Sequence, residues 1–348
     1  MPRELVVPER GTVELREYEE PSLGPEDVRV ESTFSSNKHG TLLRKYRGDE
    51  DNWHTDFERE HRISRDEVAL PEYPWAVGNM TVGTVTDVGA AVEGFAPGDR
   101  VYGHLPVRET HVVPADDVEH APAGMADEAI VYTNPAGVGV HLVREGNVRL
   151  GDTVAVFGAG AIGQMTAQLA RAAGARTVVV SEPVERRREA AREHGADLVV
   201  DPTAEDAAMR IKTEVAAGDE AGVDRALETS AAYPALDDAV RAVAYGGTVA
   251  SCGYYEGDSS TLELGAEFHR NAVELVSVNP GSSGVMDYHH RWSYDTLHAE
   301  AFRHLRDGTV SAEGLVDPVV DLADAPAAIR AIAESPAGSV KVGVSYGG

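Results

Sequence analysis

The stretch from Val154 to Gly163, V-A-V-F-G-A-G-A-I-G, restricts the fold more than any other part of the chain. An apolar run ends in Gly158, Gly160 and Gly163, and the helix-forming run Gln164–Ala173 follows. A lone G-x-G-x-x-G is weak, but one that closes a strand and opens a helix has a mechanism. The first glycine permits a tight turn, the second lets a pyrophosphate approach the backbone, and the third lets helix and strand pack closely. The free N–H groups and the positive end of the helix then face the phosphates. Gly158, Gly160, Ala161, Ile162 and Gly163 are therefore the first cofactor-binding candidates. Glu182 stands nineteen residues beyond Gly163, after the apolar run Thr177–Val180. An acid there accepts hydrogen bonds from both ribose hydroxyls and repels a 2′-phosphate, which favours NAD. Arg186 and Arg187 follow closely, and an arginine such as Arg187 can serve a 2′-phosphate, so NADP stays open.

The turn sits in a repeated β–α pattern. Strands are expected at 154–157, 177–181, 198–201, 221–228, 247–253 and 273–278, with helices between the first five. This alternation predicts an α/β fold with a right-handed, doubly wound parallel sheet. Before it the chain is β-rich. Arg3–Glu20 reads as a strand pair, Asp27–Ser36 alternates as a strand does, and strand character resumes over Pro74–Val88, Val101–Tyr102 and Thr110–Pro114. Arg44–Glu72 is charged and without period, and reads as a long loop with a short helix. Asp127–Glu145 reads as helices around Pro135. After the sheet, a helix is expected at about 293–306, a strand near 316–321, a helix at 325–334 and a terminal strand at 339–345.

Composition excludes several classes. At 348 residues the chain can form two domains, each with its own core. No apolar run reaches the ~18 residues of a membrane span, and no signal-like segment opens the sequence, so a cytoplasmic protein is expected. One cysteine, Cys252, rules out an internal disulfide and a cysteine-rich zinc lobe. The net charge is −27, with 58 acidic against 31 basic residues, and only four of the latter are lysine. A surface of that sign repels nucleic acid. The acids are spread through otherwise foldable segments, which argues for adaptation to high salt rather than disorder.

Together these features resemble the medium-chain dehydrogenase/reductase superfamily, the zinc alcohol dehydrogenase-like group. The resemblance rests on Val88-Gly89 with Gly94-Phe95-Ala96-Pro97-Gly98-Asp99-Arg100-Val101, and on Arg149-Leu150-Gly151-Asp152-Thr153-Val154 leading into the glycine turn. Gly195-Ala196-Asp197, Asp224–Glu228 and Gly246-Gly247-Thr248-Val249 add to it. It implies a GroES-like β-rich catalytic domain interrupted by a doubly wound Rossmann domain, with substrate and nicotinamide between them. Residues 1–136 and 282–348 would form the catalytic domain and 137–281 the Rossmann domain. A homodimer or homotetramer is implied, through the sheet edge near Val273–Val278.

The departures from the family bear on the chemistry. His39 stands where a zinc-ligand cysteine precedes Gly-Thr, Gly78-Asn79-Met80 replaces Gly-His-Glu, and Pro135 occupies a third ligand position. Catalytic zinc needs about three protein ligands and an open position, so no zinc is expected. Scattered histidines at 54, 61, 104, 289 and 290 are the remaining sources of a metal site. Without a metal, a side chain must polarise the carbonyl or take the hydroxyl proton. The candidates are Lys38, a rare lysine whose charge suits a developing alkoxide; His39, as acid/base or as a packed polar residue; Thr41, matching a family proton-relay hydroxyl; and Asn79, a hydrogen-bond donor or acceptor to substrate oxygen. Tyr46 and Trp53 are candidates for lining the pocket, with local packing as the alternative reading of each. His290, Arg291 and Trp292 lie in a segment that resembles sugar- and polyol-oxidising members, where Trp292 could stack on a sugar ring. Tyr254 follows a strand end where nicotinamide contacts occur in the family.

The sequence therefore favours a zinc-independent, NAD-dependent oxidoreductase acting on a sugar or polyol. The alternatives are an NADPH-dependent quinone or enone reductase, and a catalytically silent nucleotide-binding relative. The acidic composition makes its own prediction. Multimolar salt shortens the Debye length to ~3 Å at 1 M and screens self-repulsion. The melting temperature should rise from low to multimolar KCl, and an unchanged value would remove the salt-adaptation reading.

Overall fold

The computed structural model describes residues 1–48, 55–58, 60–68, 72–216, 221–255, 258–279, 292–335 and 338–347. Trp53, His290 and Arg291, with His54 and His289, lie outside the described residues. The chain divides into Met1–Val131 with Val316–Gly348, and Tyr132–Leu315.

The first unit runs through β1 (Arg3–Val7), β2 (Glu14–Glu17), β3 (Asp27–Ser36), α1 (His39–Arg47), β4 (Thr55–Glu58), β5 (Ile63–Val68), β6 (Trp75–Ala76), β7 (Met80–Val88), β8 (Arg100–Gly103), β9 (Thr110–Pro114), β10 (Val118–His120) and α2 (Asp127–Ile130). The alternation read in β3 buries Val28, Val30, Ser32 and Phe34, while Glu31 and Thr33 face out. That pattern is what a strand with one face on a core requires. β3 pairs antiparallel with β7, and β9 pairs with β3 as well. The stretch 44–72, read as a long loop with a short helix, holds more regular structure than that among the described residues. Its first part continues α1, which begins at His39, and its second part holds the antiparallel pair β4–β5. That pair makes a sheet of its own, and its sequences T-D-F-E and I-S-R-D-E-V are too charged to show strand alternation.

The second unit begins with α3 (Thr133–Glu145). Pro135 lies in its first turn, where a missing N–H breaks no helical bond. The β–α alternation follows as β11 (Thr153–Phe157), α4 (Ala161–Ala172), β12 (Thr177–Ser181), α5 (Glu185–Glu193), β13 (Leu198–Val200), α6 (Ala207–Glu214), β14 (Val223–Glu228), α7 (Tyr233–Ala242), β15 (Val243–Ser251) and β16 (Glu274–Ser277). The strands form one parallel sheet in the order β13-β12-β11-β14-β15-β16. This is the strand order of the doubly wound dinucleotide-binding fold. Val154, Ala155, Val156 and Phe157 of β11 are all buried, as expected of a central parallel strand covered on both faces.

α8 (Tyr294–Arg306) belongs to this unit, which extends to Leu315 and not to the expected boundary at 281. The physical cause is its packing on α3. A Cβ at Gly137 would meet the His298 ring at 2.9 Å, so a larger residue there would oblige the histidine to shift. The chain then returns to the first unit with β17 (Val319–Asp321), α9 (Ala325–Glu334) and β18 (Gly343–Ser345). β18 pairs antiparallel with β3, joining Val344 to Ser35 and Gly343 to Ser36. Among the described residues, no helix is long and apolar enough to cross a membrane.

Candidate functional site

In the second unit the residues read as cofactor ligands do come together. Gly158 holds φ of 88°, a left-handed conformation that favours glycine. A Cβ at Gly163 would sit 1.9 Å from the Gly158 carbonyl oxygen, so close packing of helix on turn demands glycine. At Gly160 the opposite holds, because an added Cβ meets nothing within 4 Å. That open space beside the first turn of α4, with Ala161 and Ile162 in that turn, is a cradle that fits a pyrophosphate.

Glu182 follows β12 and is buried. Its Oε2 accepts the Ala159 N–H at 2.6 Å and its Oε1 accepts the Val184 N–H at 3.0 Å. The acid thus ties the end of β12 to the glycine turn. The Arg187 guanidinium lies 3.8 Å from its carboxylate. Gln164 binds the same corner, donating to the carbonyls of Ala159 at 3.1 Å and Arg187 at 2.9 Å. Tyr254 is exposed in the segment after β15. Trp292 has the Arg144 guanidinium 3.7 Å from its ring centre, so a protein cation already covers that ring.

In the first unit the candidates lie at the end of β3, on α1 and just before β7. Lys38 is the N-cap of α1 in an extended conformation, and Thr41 is exposed on the first turn. The ring Nε2 of His39 accepts the Val342 N–H at 3.2 Å. Asn79 donates its backbone N–H to Ser36 at 3.0 Å, and its side-chain Oδ1 is buried with no hydrogen-bond partner among the described residues. Tyr46 is partly buried and packs against the cluster of Leu5, Val7 and Leu42.

Two residues at the end of β3 were missed from sequence. Asn37 is buried, and both polar atoms of its side chain lack a partner among the described residues. The β3–β7 register, with Ser36 opposite Met80, sets it across from Asn79. Lys341 is fully buried and donates from Nζ to the Asn37 carbonyl at 2.9 Å. The scarcity of lysine was the available signal for Lys341. A third missed residue, Glu228, closes β14 as a wholly buried carboxylate.

Comparison with known proteins agrees with this fold. Residues 53–137 match the alcohol dehydrogenase GroES-like domain, and residues 161–291 match the zinc-binding dehydrogenase family. A D-guloside 3-dehydrogenase of Shigella flexneri is 33% identical over 99% of this chain and 100% of its own length. An L-threonine 3-dehydrogenase of Pyrococcus abyssi is 31% identical over 71% of this chain and 74% of its own. Among solved structures, an Escherichia coli oxidoreductase/dehydrogenase of unknown specificity has a TM-score of 0.78, 20% identity and full coverage of both chains, 100% each. A Sinorhizobium meliloti zinc-binding dehydrogenase bound to NADP has a TM-score of 0.76, 22% identity and 99% coverage of each chain.

The family name implies a zinc ion, whose ligands would come from His39, Asn79 and the position of Pro135. His39 has its Nε2 occupied by a backbone amide, Asn79 offers a neutral amide, and Pro135 has no side-chain donor. This set does not fit a three-ligand zinc site. Among the described residues, ligand-type side chains gather at Glu58, Glu60 and His61. There Glu58 already accepts the N–H groups of Glu60 at 2.6 Å and His61 at 2.9 Å, and the His61 ring at 2.7 Å, so the cluster is an ordinary turn on the β4–β5 hairpin.

Burial, with a smaller effect from Lys38, lowers the Lys341 pKa from 10.5 to about 7. The native state therefore releases this proton near neutrality, whereas the unfolded chain holds it to about pH 10.4. Between those values the unfolded state binds more protons, so stability rises with pH by up to about 1.4 kcal/mol per unit. Lys341→Met should remove that rise. In denaturant titrations the stability difference between wild type and variant should change from pH 7 to 10 and be flat below pH 6. Parallel pH profiles would place the titration elsewhere.

Proposed function

Because the chain belongs to the medium-chain dehydrogenase/reductase superfamily and is an NAD(P)-dependent oxidoreductase, we propose that it uses NAD to oxidise a secondary alcohol of a sugar or polyol, without zinc. The observation that carries the cofactor choice is the buried Glu182 carboxylate, held at 2.6 Å to Ala159 of the glycine turn. A fixed negative charge at the end of the second strand receives ribose hydroxyls and repels a 2′-phosphate. The substrate class is supported by the 33% identical D-guloside 3-dehydrogenase, aligned over nearly the whole chain.

When bound, the nicotinamide supplies the hydride acceptor. The protein's own part is to hold the alcohol and manage its proton. We assign the substrate oxygen to Asn79, whose buried Oδ1 lacks a partner among the described residues and can accept a hydroxyl proton's hydrogen bond. Lys38 places positive charge at the turn out of β3, where it favours alkoxide character. His39 holds α1 to the strand end through Val342, and Thr41 presents a hydroxyl to solvent.

The test is to mix protein and NAD with methyl hexosides, gulosides among them, and polyols in high salt, and to follow reduced nicotinamide by absorbance. Turnover should favour NAD over NADP by about tenfold or more, and Glu182→Ala should relax that preference. Rates should be insensitive to chelators, and metal analysis should find no stoichiometric zinc. One zinc per chain would overturn the zinc-independent reading. Turnover confined to NADPH and enones would replace the dehydrogenase by a reductase, a reading that the missing zinc ligands favour and Glu182 opposes.

A further inference from the structure

β14 ends in Glu228, and the neighbouring chain converges on its carboxylate. It accepts the Ser230 N–H at 2.6 Å, the Ala231 N–H at 3.1 Å and the Ser251 hydroxyl at 3.2 Å. The hydroxyls of Ser230 and Tyr255 donate to it as well. Burial pushes its pKa up, and these hydrogen bonds oppose that shift. Every partner is a donor, which suits an ionised acceptor. A buried carboxylate is costly to keep unless its geometry is used.

What the carboxylate holds is the turn of residues 229–232. Ala231 within it has φ of 62°, an uncommon conformation for a residue with a Cβ. The turn forms one wall of the glycine turn. Thr229 donates its N–H to the Phe157 carbonyl at 2.9 Å, and its hydroxyl lies 3.1 Å from that carbonyl and 2.9 Å from the Gly158 carbonyl. A Cβ at Gly158 would meet the Ser230 Cβ at 2.8 Å, and one at Gly163 would meet the Thr229 hydroxyl oxygen at 2.9 Å. The cofactor cradle therefore has a second support besides Glu182, supplied from the next strand of the sheet.

We propose that Glu228 is a positioning residue for the nicotinamide cofactor, clamping residues 229–231 against the carbonyls of Phe157 and Gly158 so that the glycine turn keeps the shape that receives a pyrophosphate. It acts through Thr229 and Ser230, not by contact with the cofactor. The inference rests on nicotinamide binding and is independent of the substrate.

The test uses Glu228→Gln, which puts an amide donor where only donors converge, and Thr229→Val, which removes the hydroxyl at nearly constant shape. NADH and NADPH are titrated by fluorescence, taking whichever wild type binds more tightly, with melting temperatures measured in parallel. Each single variant should raise Kd by about tenfold, and the double variant by clearly less than the product, because both act through one turn. A lower melting temperature with wild-type Kd would make the residue merely structural and overturn the proposal. So would losses that multiply in the double variant. If Glu228→Gln does not fold, Thr229→Val and Ser230→Ala decide the matter by the same reading of Kd. Nucleotide binding in wild type with no turnover of any alcohol would defeat the substrate reading and leave this one standing.

Discussion

Gly163 approaches the carbonyl of Gly158 so closely that a methyl group there would lie 1.9 Å from the oxygen. No side chain can relieve that contact, because the obstacle is backbone. The consequence spreads through the second unit. α4 begins against the end of β11, its first turn opens on the empty space at Gly160, and the Ala159 N–H points to Glu182. Glu182 joins β12 to the turn, Gln164 joins α4 to Arg187, and Thr229 joins the strand on the other side. One close approach thus ties together the elements that surround the carboxyl end of the sheet, where doubly wound folds bind their ligands.

The first unit handles its buried polar groups differently. In the second, Glu182 and Glu228 are surrounded by donors. At the end of β3, Asn37 and Asn79 bury amide atoms that have no partner among the described residues. Each such atom costs about 1–3 kcal/mol when left unmade. Costs of this kind concentrate where a protein meets something other than itself. Unpartnered buried amide oxygens occur in the second unit as well, at Asn134 and Gln164 among the described residues, and what marks the end of β3 is that Asn37 and Asn79 stand opposite one another.

The two halves were unequally legible in sequence for the same reason. The glycine turn, the acid after β12 and the alternation of strand and helix are local, so spacing and period reveal them. Lys341 and Asn37 are 304 positions apart and meet because β18 pairs with β3, which no local pattern announces. Glu228 was visible as a residue, but its role depends on Tyr255 and Ser251 at the end of another strand. The β4–β5 hairpin was hidden by its charge. The domain boundary was placed too early because the fit of His298 over Gly137 joins two helices far apart in the chain. The cation on the Trp292 ring comes from Arg144, a residue no motif singles out.

His39 shows how a ligand position can be put to another use. The Val342 N–H donates to its Nε2 at 3.2 Å, so that nitrogen serves as an acceptor for the backbone. Metal coordination through Nε2 would need the lone pair that this bond already uses. Breaking the bond would strand the Val342 amide beside Lys341, whose amine is committed to the Asn37 carbonyl one strand away. The histidine, the amide and the lysine together close the junction of α1, β3 and β18. Restoring a metal ligand by exchanging Asn79 alone would therefore not rebuild a zinc site, because His39 would still serve the backbone and Pro135 would still offer no donor.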